Sequence, residues 1–134
     1  NLIIKDFSPD TKTYCVEPNG YDDHRKSFEA GTRLGNEKTP PFSSCDSLLC
    51  PIPGELTFPI NYNFIEEGLV VSETEIEDAI RFAFDNLKLV SEPGGVVALA
   101  AILSGKIETE RKVMCVLISG GNIDKKQFGK ILAR

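Results

Sequence analysis

Residues 113–118 are all apolar, and Ser119-Gly120-Gly121-Asn122 follows them without a spacer. A run this short and this rich in branched side chains is predicted to be a strand covered on both faces, as in parallel sheets. Parallel strands need long crossover connections, so helices must alternate with them. The chain is therefore expected to be α/β, layered, with a mainly parallel sheet and helices on both faces, and ligands are expected beyond the carboxyl ends of its strands.

The remaining sequence fits that frame. Thr13-Tyr14-Cys15-Val16 reads as a short strand closed by Glu17-Pro18, because proline pushes the preceding residue out of the helical region. Residues 22–30 favour a helix, with Asp22 and Asp23 in its first turn and Gly31 as its stop. Residues 32–53 are rich in Gly, Pro, Ser and Asn and should be irregular. Residues 54–67 read as a helix with Leu56, Ile60, Phe64 and Ile65 on one side, broken or kinked at Pro59 and ended by Gly68.

Leu69-Val70-Val71 is a short strand, and Ser72-Glu73-Thr74-Glu75 is a capping box. In the helix that follows, Ile76, Ala79, Ile80, Ala83, Phe84 and Leu87 form one apolar stripe. Residues 96–104 are apolar almost all round, which predicts a deeply buried helix stopped by Gly105. A last helix from Asp124 carries Phe128, Ile131 and Leu132. The opening residues, Asn1 included, read as the tail of a helix, so the chain is expected to begin inside a longer protein.

At 134 residues the chain has the size of one domain, with 41% hydrophobic and 26% charged residues, which argues against disorder. A net charge of -5 and the lack of a basic stripe argue against a nucleic-acid partner. No apolar run is long enough to span a bilayer and no leader pattern is present, so no membrane role is expected. Cys15, Cys45, Cys50 and Cys115 show neither zinc-ligand nor disulfide spacing, which predicts reduced, buried thiols in a cytoplasmic protein.

Three places carry candidate chemistry. Ser119-Gly120-Gly121-Asn122 delivers a hydroxyl and pliable backbone to the end of a strand, although an ordinary strand-to-helix turn would have the same pattern. Glu17, Asp22 and Asp23 gather carboxylates around a Pro-Asn-Gly turn and could offer oxygen ligands to Mg²⁺ or Ca²⁺, or form a solvated acidic loop. Glu92 precedes Pro-Gly-Gly at the head of an apolar helix, which suits either a partly desolvated carboxylate or a simple helix-start carboxylate facing the helix dipole. His24 is the only histidine and reads as a helix-surface residue beside the two aspartates. No GxGxxG or Walker-type loop is present.

Taken in order, Val16-Glu17-Pro18 with Gly20-Tyr21-Asp22-Asp23, Gly54-Glu55-Leu56-Thr57-Phe58-Pro59, Glu92-Pro93-Gly94-Gly95 and Leu117-Ile118-Ser119-Gly120-Gly121-Asn122 resemble the threonine dehydratase and serine racemase family. The resemblance runs from about Ile3 to Asp124. It implies the C-terminal half of the tryptophan-synthase-β-like fold of pyridoxal-phosphate enzymes, with residues 1–134 as the C-terminal part of the large domain. It also implies that Ser119 bonds the pyridine nitrogen, with Gly120, Gly121 and Asn122 lining the cofactor. Glu17, the backbone carbonyl of Tyr21 and Asp23 match a divalent-cation site, and Glu92 matches a glutamate near the active centre.

The family's Schiff-base lysine, in a Ser-x-Lys-x-Arg-Gly context, and its Gly-rich phosphate loop are not in this sequence, and Lys88, Lys106 and Lys112 lack that context. Both are expected upstream in the same polypeptide, with this stretch inactive by itself. The implied activity is dehydration and deamination of L-threonine or L-serine, with racemisation or another β-elimination as alternatives and a homo-oligomer as a compatible assembly. From other classes, a noncatalytic metal-binding module or a subunit completed by a partner remain competing readings.

Overall fold

The computed structural model describes residues 2–134; the expected helical character of Asn1 lies outside the described residues. Helix α1 spans Leu2–Phe7, and β1 spans Thr13–Pro18. Helices α2 (Asp23–Ala30) and α3 (Thr57–Tyr62) lie in the connection to β2 (Ile65–Val71). Helices α4 (Glu73–Phe82), α5 (Val97–Leu103) and α6 (Lys125–Leu132) complete the chain.

The two strands pair in parallel, with Cys15 opposite Gly68 and Pro18 opposite Val71. Successive residues of a strand face opposite sides. A Cβ built on Gly68 would lie 2.7 Å from the Arg25 Cα, which puts α2 against one face. Leu69 and Val71 enter the main core with Ile76 and Ile80 of α4 and Val97, Ala100 and Ala101 of α5, on the other. The α/β expectation with helices on both faces is met by a sheet that has two strands among the described residues.

Local signals explain the elements. Ser72 Oγ accepts the Glu75 amide while the Glu75 carboxylate accepts the Ser72 amide at 2.7 Å, so the capping box forms as expected. Gly31 and Gly105 stop their helices at φ 68° and 73°, a region glycine enters without a Cβ clash. Asp124 caps α6 by accepting the Lys126 and Gln127 amides. Residues 32–53 are irregular apart from one 3₁₀ turn, Asp46–Leu48.

Several expectations are corrected. Residues 54–67 are not one helix, since α3 occupies only Thr57–Tyr62 and β2 already begins at Ile65. Pro59 sits in the first turn of α3, where a missing N–H costs little, and Phe58 is buried there while Leu56 and Ile60 are exposed. Gly68 ends no helix; it lies inside β2, where only a hydrogen lets α2 approach. The α4 stripe stops at Ala83, because Ala83–Leu87 is a π-type turn that rotates Phe84 and Leu87 outward.

Residues 113–118 are the largest correction. They form no strand, and alternate side chains, Met114, Val116 and Ile118, are half-buried while Val113, Cys115 and Leu117 are exposed. The period-2 pattern is present, but among the described residues nothing pairs with its edges or covers its outer face. A strand is defined by its ladder partners, and intrinsic preference alone does not make one.

Candidate functional site

The acidic site is built where β1 hands over to α2. The Tyr21 amide donates to the Pro18 carbonyl at 3.0 Å, closing a turn in which Gly20 takes φ 85°. The Glu17 carboxylate then reaches across the turn and accepts the amides of His24 at 3.0 Å and Arg25 at 2.9 Å. Glu17 thus satisfies the free donors at the start of α2, work that the Asp22 side chain leaves undone.

Asp23 is 1% exposed; its Oδ1 accepts from Asn36 at 3.0 Å, and its Oδ2 has no hydrogen-bond partner among the described residues. His24 Nδ1 stands 3.1 Å from Glu17 Oε1 and 3.5 Å from Asp23 Oδ2. One ligand atom from each of Glu17, Asp23 and His24 falls within 4.8 Å of the others. His24 is therefore part of the cluster, which corrects its reading as a surface residue. Asp22 turns away to pair with Arg25 and, at 2.8 Å, with Lys26.

The electrostatics follow the geometry. Burial holds the Asp23 carboxyl above its ordinary range, with the nearby Glu17 charge acting the same way against the Asn36 hydrogen bond. The hydrogen bond to Glu17 raises His24, outweighing its desolvation. Burial pushes Asp22 up, but its bonds to Lys26 and Arg25 bring it below the usual carboxylate range. Cys15 is pushed up to about 12 by burial, and then by Glu17 and Asp23, so its thiol stays protonated near neutrality. The four cysteines are free, but only Cys45 is fully buried and Cys50 and Cys115 are exposed, so they are not all core filler.

The second site lies where 119–122 meets 91–95. The Ser119 amide donates to the Gly95 carbonyl at 3.1 Å, and the Glu92 amide donates to the Gly120 carbonyl at 3.2 Å. The Ser91 hydroxyl donates to that same carbonyl at 3.0 Å, and the Glu92 carboxylate accepts the Asn122 amide at 3.0 Å. Gly120 sits at φ 72°, where a Cβ would lie 2.5 Å from the Glu92 carboxyl carbon. Ser119 is exposed, and its hydroxyl makes no hydrogen bond among the described residues.

Sequence reasoning names Glu92, Ser119 and the glycines, and the structure brings them together. Ser91 and Asn36 escape it, since a lone Ser or Asn in a loop carries no pattern; adjacency of Ser91 to Glu92 is the one signal available. The two sites remain separate groups of contacts. Three lysines are engaged locally: Lys88 on the Asp85 carbonyl, Lys106 on Glu75 at 2.9 Å and Lys112 on the Glu108 carbonyl.

Comparison with known proteins extends over nearly the whole chain. The model of the family "pyridoxal-phosphate dependent enzyme" matches residues 2–120. A serine racemase of Dictyostelium discoideum is 33% identical over 133 residues, covering 98% of this chain and 41% of that protein. An L-threonine ammonia-lyase of Thermotoga maritima is 32% identical over 132 residues, 98% of this chain and 32% of that protein. The solved structure of a maize serine racemase superposes with a TM-score of 0.84 at 28% identity, over 98% of this chain and 41% of that one. The chain thus spans less than half the length of each of these relatives.

Proposed function

The chain belongs to the family of pyridoxal-phosphate dependent enzymes, and from that premise we propose that it forms the C-terminal part of the cofactor domain of a lyase. The reaction is dehydration and deamination of L-threonine or L-serine to a 2-oxo acid and ammonia. The observation that carries this reading is the Ser119 hydroxyl, exposed and without a partner at the head of a turn that residues 91–95 hold in place.

The turn fits the cofactor ring, since Gly120 and Gly121 put no side chains beside that hydroxyl. When bound, pyridoxal phosphate supplies the electron sink that makes the Cα proton of an amino acid labile. Ser119 would donate to the pyridine nitrogen, and a neutral hydroxyl there would leave that nitrogen largely unprotonated, whereas a carboxylate would keep it charged. Such a partner suits elimination and racemisation better than reactions needing a long-lived carbanion. Gly120, Gly121 and Asn122 line the same edge, and Glu92 stands behind it on the Asn122 amide.

Glu17, Asp23 and the backbone carbonyl of Tyr21 form a Mg²⁺ or Ca²⁺ site in this reading. Support comes from the buried Asp23 Oδ2, which has no hydrogen-bond partner among the described residues and lies in the Glu17–Asp23–His24 cluster, where a divalent cation would compensate the charge. The cofactor-anchoring lysine and the phosphate loop are assigned to another part of a longer polypeptide, in keeping with the local engagement of Lys88, Lys106 and Lys112. A cytoplasmic setting belongs to the same proposal, supported by four free cysteines.

The test uses the full-length protein. Ser119→Ala should leave the fold intact, weaken cofactor binding and lower turnover of L-threonine and L-serine by about tenfold, through loss of one orienting hydrogen bond. Unchanged cofactor affinity and turnover would reduce Ser119 to a turn residue. Accumulation of D-serine in place of the 2-oxo acid would favour racemisation, the second reading, which the similarity to the Dictyostelium racemase supports.

A further inference from the structure

We propose that Ser91 and Glu92 are positioning residues that set the orientation of the Ser119 hydroxyl. The inference rests on the reading that Ser119 faces the cofactor's pyridine nitrogen. A strand would ordinarily hold a residue at its carboxyl end through ladder bonds on either side. Among the described residues, 113–118 have no ladder partner, and the bonds that hold the turn at Ser119 come from another segment.

That hold is the segment 91–95. The Ser119 amide is tied to the Gly95 carbonyl, the Gly120 carbonyl to both the Glu92 amide and the Ser91 hydroxyl, and the Asn122 amide to the Glu92 carboxylate. Three of the peptide groups around Ser119 and Gly120 are thereby fixed, which leaves little freedom for the backbone that aims the Ser119 side chain. Ser91 is 1% exposed, and its hydroxyl also approaches the Glu92 carbonyl at 3.3 Å. A buried hydroxyl is retained where its bonds matter, because apolar packing would otherwise serve there. Neither group needs to touch the cofactor to act.

The two side chains grip adjacent peptide groups of one turn, on either side of Gly121. Gly120 must adopt positive φ beneath the Glu92 carboxylate, and this conformation is open to glycine at little cost. Loss of the Ser91 hydroxyl leaves the Gly120 carbonyl held by the Glu92 amide alone, and loss of the Glu92 carboxylate frees the Asn122 amide. In either case the Ser119 hydroxyl samples directions away from the ring nitrogen.

The holoenzyme reconstituted with pyridoxal phosphate carrying ¹⁵N in the ring provides the readout, since that resonance reports the hydrogen bond itself. Ser119→Ala defines the displacement for complete loss. Ser91→Ala and Glu92→Ala should each move the resonance in the same direction by roughly a third to a half as much, and weaken cofactor binding about threefold to tenfold. Amide exchange at Asn122 should accelerate in Glu92→Ala, and Glu92→Gln, which keeps an acceptor, should restore the resonance. If Ser119→Ala moves the resonance while Ser91→Ala and Glu92→Ala lower only the melting temperature, the two residues are merely structural and the inference is overturned. If Ser119→Ala leaves it unmoved, the assignment of Ser119 to the ring nitrogen itself fails.

Discussion

Gly95 and Ser119 touch backbone to backbone: the Ser119 amide donates to the Gly95 carbonyl at 3.1 Å, and a Cβ built on Gly95 would lie 1.6 Å from the Ser119 carbonyl oxygen. No side-chain adjustment relieves a clash of that kind, because both partners are main chain. Gly95→Ala should therefore destabilise the protein by about 2–3 kcal/mol through overpacking. It should also displace the 119–122 turn, lowering cofactor affinity together with the melting temperature. Wild-type stability in a thermal melt would show that the segments do not meet this closely in solution.

How much of this is legible in the sequence depends on whether the cause is local. Ser72 and Glu75 form a capping box from residues three apart, and Gly31, Gly105 and Asp124 end or begin helices by their own conformational preferences, so their roles can be read directly. Gly68 misleads because its role depends on Arg25, far away in sequence. Residues 113–118 carry strand chemistry without a ladder, which no one-dimensional pattern can distinguish from a paired strand. Of the candidate sites, the carboxylates and Ser119 stand out as residue types, whereas His24 and Ser91 acquire a role only when folding brings Glu17 and Gly120 to them.

Asp23 supports a prediction about cations. In wild-type protein, saturating Mg²⁺ or Ca²⁺ should raise the melting temperature, because a ligand bound only by the native state at 100 times its Kd adds about 2.7 kcal/mol. Asp23→Asn removes the charge that burial makes costly and should abolish most of that increment while leaving cofactor binding measurable. Equal increments in both proteins would remove Asp23 from any cation site.

Gly68 links the sheet to the acidic cluster. A methyl at this position would press on Arg25 Cα and Cβ at 2.7 Å and push α2 away from β2. The Glu17 carboxylate reaches the His24 and Arg25 amides only while that spacing holds. Gly68→Ala is expected to cost about 1–3 kcal/mol in denaturant unfolding. It should also speed amide exchange at His24 and Arg25, and a variant with unaltered exchange at those amides would refute the link.

The last prediction turns on Glu75, which couples the start of α4 to the segment just after α5 through the Ser72 amide and the Lys106 ammonium, 2.7 and 2.9 Å away. Burial raises its carboxyl pKa, but the Ser72 amide, Lys106 and the Ser72 hydroxyl together bring it below the ordinary 4.5. A carboxylate with a lowered folded pKa stabilises the native state fully above its unfolded value, and that contribution is lost as pH falls through the folded value. Glu75→Gln keeps the oxygen that accepts the Ser72 amide but loses the charge facing Lys106 and the helix start, so it should cost about 0.5 kcal/mol near neutral pH. The difference between wild type and variant should be flat above 4.5 and shrink as the solution is acidified below it. Ser72→Ala should reproduce part of the neutral-pH loss, because it removes the hydroxyl that the Glu75 amide and carboxylate both engage. Thermal melts of the three proteins across that range provide the test, and a wild-type advantage that grows on acidification would contradict the assigned sign.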